Sequence, residues 1–335
     1  MKIIIVGGGI TGLYLGYLFK KHNIDFNIYE RADIVGGKIS NKKISNNLIK
    51  YQIYPHYKNM INLLNELDVN YKLSKNILPK KDLDVNLFNK IKTIYSKNPI
   101  KNISVDTFLK EKLSQTEYTL FLSYITDLKL DKMDISDYFK YNHDNILLTN
   151  QSTTYINIDY NIITKLSQSI QDYIYLNHNV QEITYMPLTN NYVLKINDIY
   201  INADVLILTT NMNIKLKIPP IIQSQFNKIK SYNVLQIISK NNNNLYKLVI
   251  SNDKLASSLI KQKFNIDKYS YINWQNAYHI NQSKIKTNFY SEYKLILAIH
   301  PYLYNLEGSC ICAINTFNII QKNIYKKLDY LYTYK

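Results

Sequence analysis

The chain opens on an unbroken apolar run, Lys2-Ile3-Ile4-Ile5-Val6, the pattern of a strand buried on both faces. Gly7-Gly8-Gly9-Ile10-Thr11-Gly12 follows at once, and Leu13 to Lys21 then carries apolar residues at helical spacing. Asp25 to Tyr29 reads as a second strand ending at Glu30. Between Tyr51 and Val69, Met60-Ile61, Leu63-Leu64 and Leu67 repeat at helical spacing. Residues 70 to 150 read mostly as helices, with Ser104 placed as an N-cap ahead of Val105, Phe108 and Leu109 and with Phe121, Tyr124, Ile125 and Leu128 continuing the pattern. From about Tyr155, helix and strand patterns alternate again. Ile162-Ile163, Leu166 and Ile170 form one helical face, Ile174 to Ile183 and the segments after it read as Asn-bounded strands, and Ala203 to Thr210 contains a buried strand. Pro219-Pro220 marks a boundary, and residues 220 to 285 read as a helix, strands and another helix.

That order predicts an α/β fold with a Rossmann-like dinucleotide-binding unit at its start. The turn contains G-x-G-x-x-G as Gly7, Gly9 and Gly12, and it lies between a strand and a helix, the context that gives this motif its meaning. Gly7 permits the tight turn, Gly9 lets the backbone approach a pyrophosphate, and Gly12 lets the helix pack close to the sheet. The helix N-terminus offers unpaired N–H groups and a positive dipole end to phosphates. Glu30, at the end of the second strand, is placed to accept hydrogen bonds from an adenosine ribose.

Composition narrows the partners. With 46% apolar residues among 335, the chain can bury a sizeable core. The formal charge of +16 is nearly all lysine, and Arg31 is the only arginine. The lysines are scattered, without the clustered Arg/Lys and stacking aromatics of a nucleic-acid reader, so no specific nucleic-acid partner is expected. The abundance of Asn, Ile, Lys and Tyr reflects A/T-rich codons, as in a parasite, a bacterium or a large DNA virus. No apolar run reaches the ~18 residues of a membrane helix, and no signal peptide is visible, so a cytoplasmic location is expected. Cys310 and Cys312 cannot form a disulfide framework and lack metal-ligand spacing; they are expected to be buried thiols, with no metal site.

The next motif selects among dinucleotides. Glu30-Arg31-Ala32-Asp33-Ile34-Val35-Gly36-Gly37-Lys38 resembles the E-R/K-x(4)-G-G-R/K stretch of the FAD-dependent amine oxidase and protoporphyrinogen oxidase superfamily. The resemblance implies FAD rather than NAD: Gly36-Gly37 would wrap the diphosphate and ribityl region and Lys38 would add a charge there. It continues in order along the chain. Val180 matches the position that holds the adenine edge through its backbone. Tyr54-Pro55-His56-Tyr57 resembles the segment before a helix, with His56 a candidate to face the flavin. Trp274, with Tyr271 and Tyr278, resembles an aromatic region ahead of the C-terminal flavin motif. In that last motif Gly308, Ala313 and Thr316 fit. The family's Gly-acid pair is replaced by Ile299-His300, and its Glu-Gly pair is aligned with Ile311-Cys312. His300 is then the candidate ribityl contact, and Cys312 adds a side chain where backbone approach is wanted. The strand around Gln236 carries no lysine to match one that some amine oxidases hold near the flavin.

The resemblance implies a discontinuous FAD-binding domain (1–69, 151–218 and 286–335) with an inserted α+β substrate domain (70–150 and 219–285). It implies hydride transfer from a small-molecule substrate, an amine or similar, to FAD, with no catalytic acid or base required. The rival reading is a non-catalytic dinucleotide-binding or scaffold protein of the same fold, motivated by the altered C-terminal motif. A sugar-nucleotide mutase is disfavoured, because such sites use arginines on the substrate diphosphate.

Overall fold

The computed structural model describes residues 1–39, 43–44, 47–48, 51–53, 57–71, 73–76, 85–100, 102–124, 130, 134–141, 153–158, 160–210, 214–227, 229–239, 245–250, 268–281, 287–298 and 306–333. The opening unit is β1 (Ile3–Val6), α1 (Ile10–Lys21) and β2 (Phe26–Tyr29). A short hairpin, β3 (Lys43–Ile44) and β4 (Asn47–Leu48), leads to β5 (Tyr51–Ile53) and α2 (Lys58–Glu66). Then come β6 (Leu73–Asn76) and four helices, α3 (Val85–Lys97), α4 (Val105–Lys112), α5 (Gln115–Tyr124) and α6 (Ile135–Tyr141). The chain returns through β7 (Thr153–Ile158), α7 (Asn161–Ser169), β8 (Ile174–Tyr175), β9 (Val180–Met186), β10 (Asn191–Ile196), β11 (Ile199–Ala203) and β12 (Val205–Leu208). The remainder is β13 (Lys215–Lys217), α8 (Pro220–Asn227), β14 (Ile229–Ser239), β15 (Leu245–Ile250), β16 (Tyr269–Asn281), β17 (Asn288–Phe289), α9 (Tyr290–Tyr293), β18 (Leu295–Leu297) and α10 (Leu306–Thr333).

The central sheet runs β17-β18-β12-β1-β2-β8, parallel except for the edge strand β17. β1 lies in the middle, with Ile3 paired to Val205 on one side and Phe26 on the other. Its four side chains are at most 4% exposed, which explains the unbroken apolar run. Each such burial contributes about 1.5–3 kcal/mol. Ile3 and Ile5 pack with Leu13 and Phe19 of α1, Ile163 and Leu166 of α7, and Ala313 and Phe317 of α10. Ile4 and Val6 pack on the opposite face with Ile183, Tyr192 and Leu194 of the β11-β10-β9-β13 sheet. The unit is therefore three layers: helices, parallel sheet, antiparallel sheet.

A separate core joins Leu87, Ile91, Val105, Phe108, Leu109, Phe121 and Ile135 across α3 to α6. Ser104 caps α4 as its position suggests, its Oγ accepting the Thr107 N–H at 3.0 Å. The helical reading of residues 70 to 150 misses β6, which pairs antiparallel with β7. Four residues are too few to show a period, and pairing with a distant strand makes them extended. The helix expected late in 220–285 falls outside the described residues. Among the described residues no helix is long and apolar enough to cross a membrane.

Candidate cofactor site

The parallel arrangement delivers β1 into the glycine turn at the C-terminal edge of the sheet, where ligands of such folds bind. Gly7 has φ +114°, a region that favours glycine, and its N–H donates to Tyr29 O at 2.9 Å. Thr209, just past β12, secures the turn: its Oγ1 lies 3.0 Å from Val6 O and 2.9 Å from Gly7 O. A Cβ on Gly12 would overlap the Gly7 carbonyl oxygen, so only glycine lets α1 sit against the turn. At Gly9 an added Cβ would meet nothing within 4 Å, so this backbone faces open space. Gly9 is also the N-cap of α1. It supplies no side-chain cap, and no acid lies in the first turn, so this helix end keeps its N–H groups and dipole for an anion.

The second glycine pair stacks onto the first. Gly36 N–H donates to Gly8 O at 2.8 Å, Gly36 bridges Gly9, and a Cβ on Gly37 would come 3.3 Å from Gly9 Cα. The Tyr160 hydroxyl holds this loop from behind by donating to Val35 O at 3.0 Å, and burial raises the Tyr160 pKa. Lys38 is exposed just beyond the pair.

Glu30 ties the two halves together. Its Oε2 accepts the Gly8 N–H at 2.6 Å and its Oε1 accepts the Ala32 N–H at 2.9 Å. The cleft beside it is lined by Gly7, Glu30, Arg31, His178, Val180 and Thr210, among others. Arg31 is exposed at its rim. Tyr29 and Tyr175 stack at 5.0 Å against one wall, and burial raises the Tyr29 pKa.

The structure thus brings Gly7, Gly9, Gly12, Glu30, Arg31, Gly36, Gly37, Lys38 and Val180 to one edge of the sheet. His300 and His56 lie outside the described residues. Trp274, Tyr271 and Tyr278 lie on β16, and Gln236 lies on β14 paired to Ile272. Sequence reasoning missed Thr209, Tyr160 and His178. Only His178 carried a local signal, two residues ahead of Val180.

α10 begins at Leu306, so Glu307 and Gly308 occupy its first turn, while Cys312 lies in the second. Gly308 thus stands at the helix N-terminus, and Ile311-Cys312 lie one turn further in. Cys310 is buried with its Sγ 3.6 Å from Met60 Sδ, and burial pushes the Cys312 thiol up to about 12. No group of His, Cys, Asp and Glu suited to a metal occurs among the described residues.

Residues 5–67 match the family described as the NAD(P)-binding Rossmann-like domain. A search of curated proteins finds no sequence match. Among solved structures, a CLA-producing fatty acid isomerase from P. acnes is 13% identical, with 96% of this chain and 98% of that one covered, at TM-score 0.69. A wild-type putrescine oxidase bound to putrescine is 10% identical over 96% and 99%, at TM-score 0.68. Cyclohexylamine oxidase from Brevibacterium oxydans IH-35A is 11% identical over 97% and 99%, at TM-score 0.67. The chain shares the α/β fold of these solved structures, with an NAD(P)-binding Rossmann-like unit at its start.

Proposed function

We propose that this protein is a flavoprotein oxidoreductase that binds FAD along the two glycine turns and oxidises a small amine or similar substrate. The observation that carries the reading is the open backbone at Gly9, at an uncapped helix N-terminus and with Gly36-Gly37 stacked beside it. A diphosphate suits that cradle, because it takes backbone N–H groups, a dipole end and close approach without a side chain. Lys38 adds a positive charge near the same place. Glu30, with each carboxylate oxygen accepting one backbone N–H, keeps lone pairs for ribose hydroxyls. By resemblance, Val180 holds the adenine edge through its backbone, and the first turn of α10 at Gly308 approaches the flavin ring. FAD held there would supply two-electron redox chemistry to the substrate bound beside it. The oxidase neighbours support an amine as the substrate class, since two of them carry amine substrates in their names.

The test is the visible spectrum of the purified protein, followed by denaturation and identification of what is released. Released FAD, with peroxide formed on adding amines, is the expected result. Ile299-His300, standing where relatives carry Gly and an acid, favours the second reading: a dinucleotide-binding scaffold without turnover. A protein that takes up FAD yet oxidises no amine fits the scaffold. One that takes up no FAD at all overturns the flavoprotein reading.

A further inference from the structure

We propose that His178 selects an aminopurine over an oxopurine at the nucleoside end of the cleft. The inference rests on the dinucleotide reading above and adds to it a side chain that discriminates between bases.

Four observations meet at this residue. Its backbone N–H donates to Glu30 O at 2.8 Å, which fixes it beside the residue placed for the ribose. Its ring is half-buried and lies against the stacked Tyr29–Tyr175 pair, tilted on Tyr29 at 5.7 Å and edge-on to Tyr175 at 5.7 Å. Its Nδ1 lies 2.6 Å from the Leu176 carbonyl oxygen, which can only accept, so in the neutral ring Nδ1 carries the proton. Nε2 is then a lone-pair acceptor, and no hydrogen bond meets it among the described residues. His178 lines the same cleft as Glu30, Arg31 and Val180.

An acceptor on a half-buried ring that lines the cleft asks its ligand for a donor. Adenine carries an exocyclic amine where guanine carries a carbonyl oxygen. The amine satisfies Nε2, whereas the carbonyl leaves two acceptors facing each other with neither satisfied. A site built to hydrogen-bond a donor rejects the analogue that lacks it far more strongly than a merely apolar pocket does.

The experiment titrates full-length protein, stripped of bound nucleotide, with ADP and with GDP by calorimetry. The expected result is ADP binding roughly tenfold or more tighter than GDP. His178→Phe keeps a ring against the two tyrosines and removes Nε2; it should weaken ADP roughly tenfold and bring the two affinities together. His178→Asn, which keeps a short donor toward Leu176 O, serves if the phenylalanine variant does not fold, and the same convergence is expected. Equal wild-type affinities, or a variant that retains the preference, overturn the role of His178 while the dinucleotide site stands. Wild-type protein that binds neither nucleotide overturns the dinucleotide reading itself.

Discussion

Glu307, in the first turn of α10, caps helix α2 at Asn59. Its Oε1 accepts the Asn59 N–H at 3.1 Å and the Asn59 Nδ2 at 2.6 Å, and its Oε2 accepts the Met60 N–H at 2.9 Å. α2 has no cap from its own N-cap residue, Tyr57, so the distant carboxylate satisfies N–H groups that the helix leaves orphaned. A negative charge at that end also meets the positive end of the helix dipole. Two helix beginnings are thereby tied together, and the turn that carries Gly308 is fixed against the core.

Glu307→Ala should therefore cost about 1–2 kcal/mol, the range of a lost helix cap. Glu307→Gln keeps an acceptor but loses the charge, and should fall between wild type and alanine. Urea denaturation of the three proteins measures this. An alanine variant as stable as wild type would show that the cap contributes nothing. If α10 also carries the flavin contact, the alanine variant should in addition shift the visible spectrum of the bound cofactor.

Gly9 and Gly12 lie in the same motif and should respond oppositely to alanine. A Cβ at Gly12 would overlap the Gly7 carbonyl, so Gly12→Ala must displace α1 or the turn, at a cost of about 1–3 kcal/mol as in other overpacked sites. A Cβ at Gly9 meets no protein atom within 4 Å, so Gly9→Ala should leave the melting temperature nearly unchanged. It projects instead into the space proposed for the diphosphate, and FAD retention should drop by an order of magnitude or more. A Gly9→Ala protein with normal stability and normal FAD content would remove Gly9 from the site.

The opening of the fold was legible because its parts are contiguous. Strand, turn, helix, second strand and acid all lie between Ile3 and Glu30, and each has its own periodicity or glycine signature. Even there, α1 begins at Ile10 and not Leu13, because Ile10-Thr11-Gly12 reads as turn until the packing of Gly12 against Gly7 is seen. The start of α10 was not legible, since nothing in the pattern of a helix 28 residues long marks its first turn. The cap on Asn59 marks it only in three dimensions. Thr209 and Tyr160 owe their roles to contacts between segments far apart in sequence, which no local spacing encodes.

The two cysteines should be silent toward thiol reagents in the native protein. Cys310 is fully buried against Met60, and desolvation, with Glu307 and Cys312 nearby, raises its pKa well above the usual thiol value. Cys312 is half-buried, not fully buried as expected, and desolvation pushes its thiol up to about 12. Because the thiolate is the reactive form, little of either thiol is available near neutral pH. Titration with an aromatic disulfide reagent at pH 8 should count close to zero thiols in native protein and two after denaturation. Prompt labelling of Cys310 would contradict the placement of α10 against the core.

The helices α3 to α6 should lose stability in acid through Glu117. Ser114 and Glu117 form a reciprocal cap on α5: the Ser114 N–H and hydroxyl donate to Glu117 Oε2 at 2.9 and 3.0 Å, and the Glu117 N–H donates to Ser114 Oγ at 3.3 Å. Lys90, on α3, donates to Glu117 Oε1 at 2.6 Å and so links two of these helices. These bonds, that of Lys90 first, lower the Glu117 pKa from its ordinary 4.5 to about 2. A group whose folded pKa lies below its unfolded one adds stability above the unfolded value and loses it as pH falls through the folded value. The contribution of Glu117 is therefore complete above about pH 4.5 and fades between 4.5 and 2. Glu117→Gln keeps the shape and an acceptor for Ser114 but not the charge. Its melting temperature should lie below wild type at pH 6, and the gap should close as pH approaches 2. Because the ion pair is solvent-exposed, the gap should also narrow in 1 M salt. A gap that persists at pH 2 would assign the effect to side-chain packing and not to the ionised carboxylate.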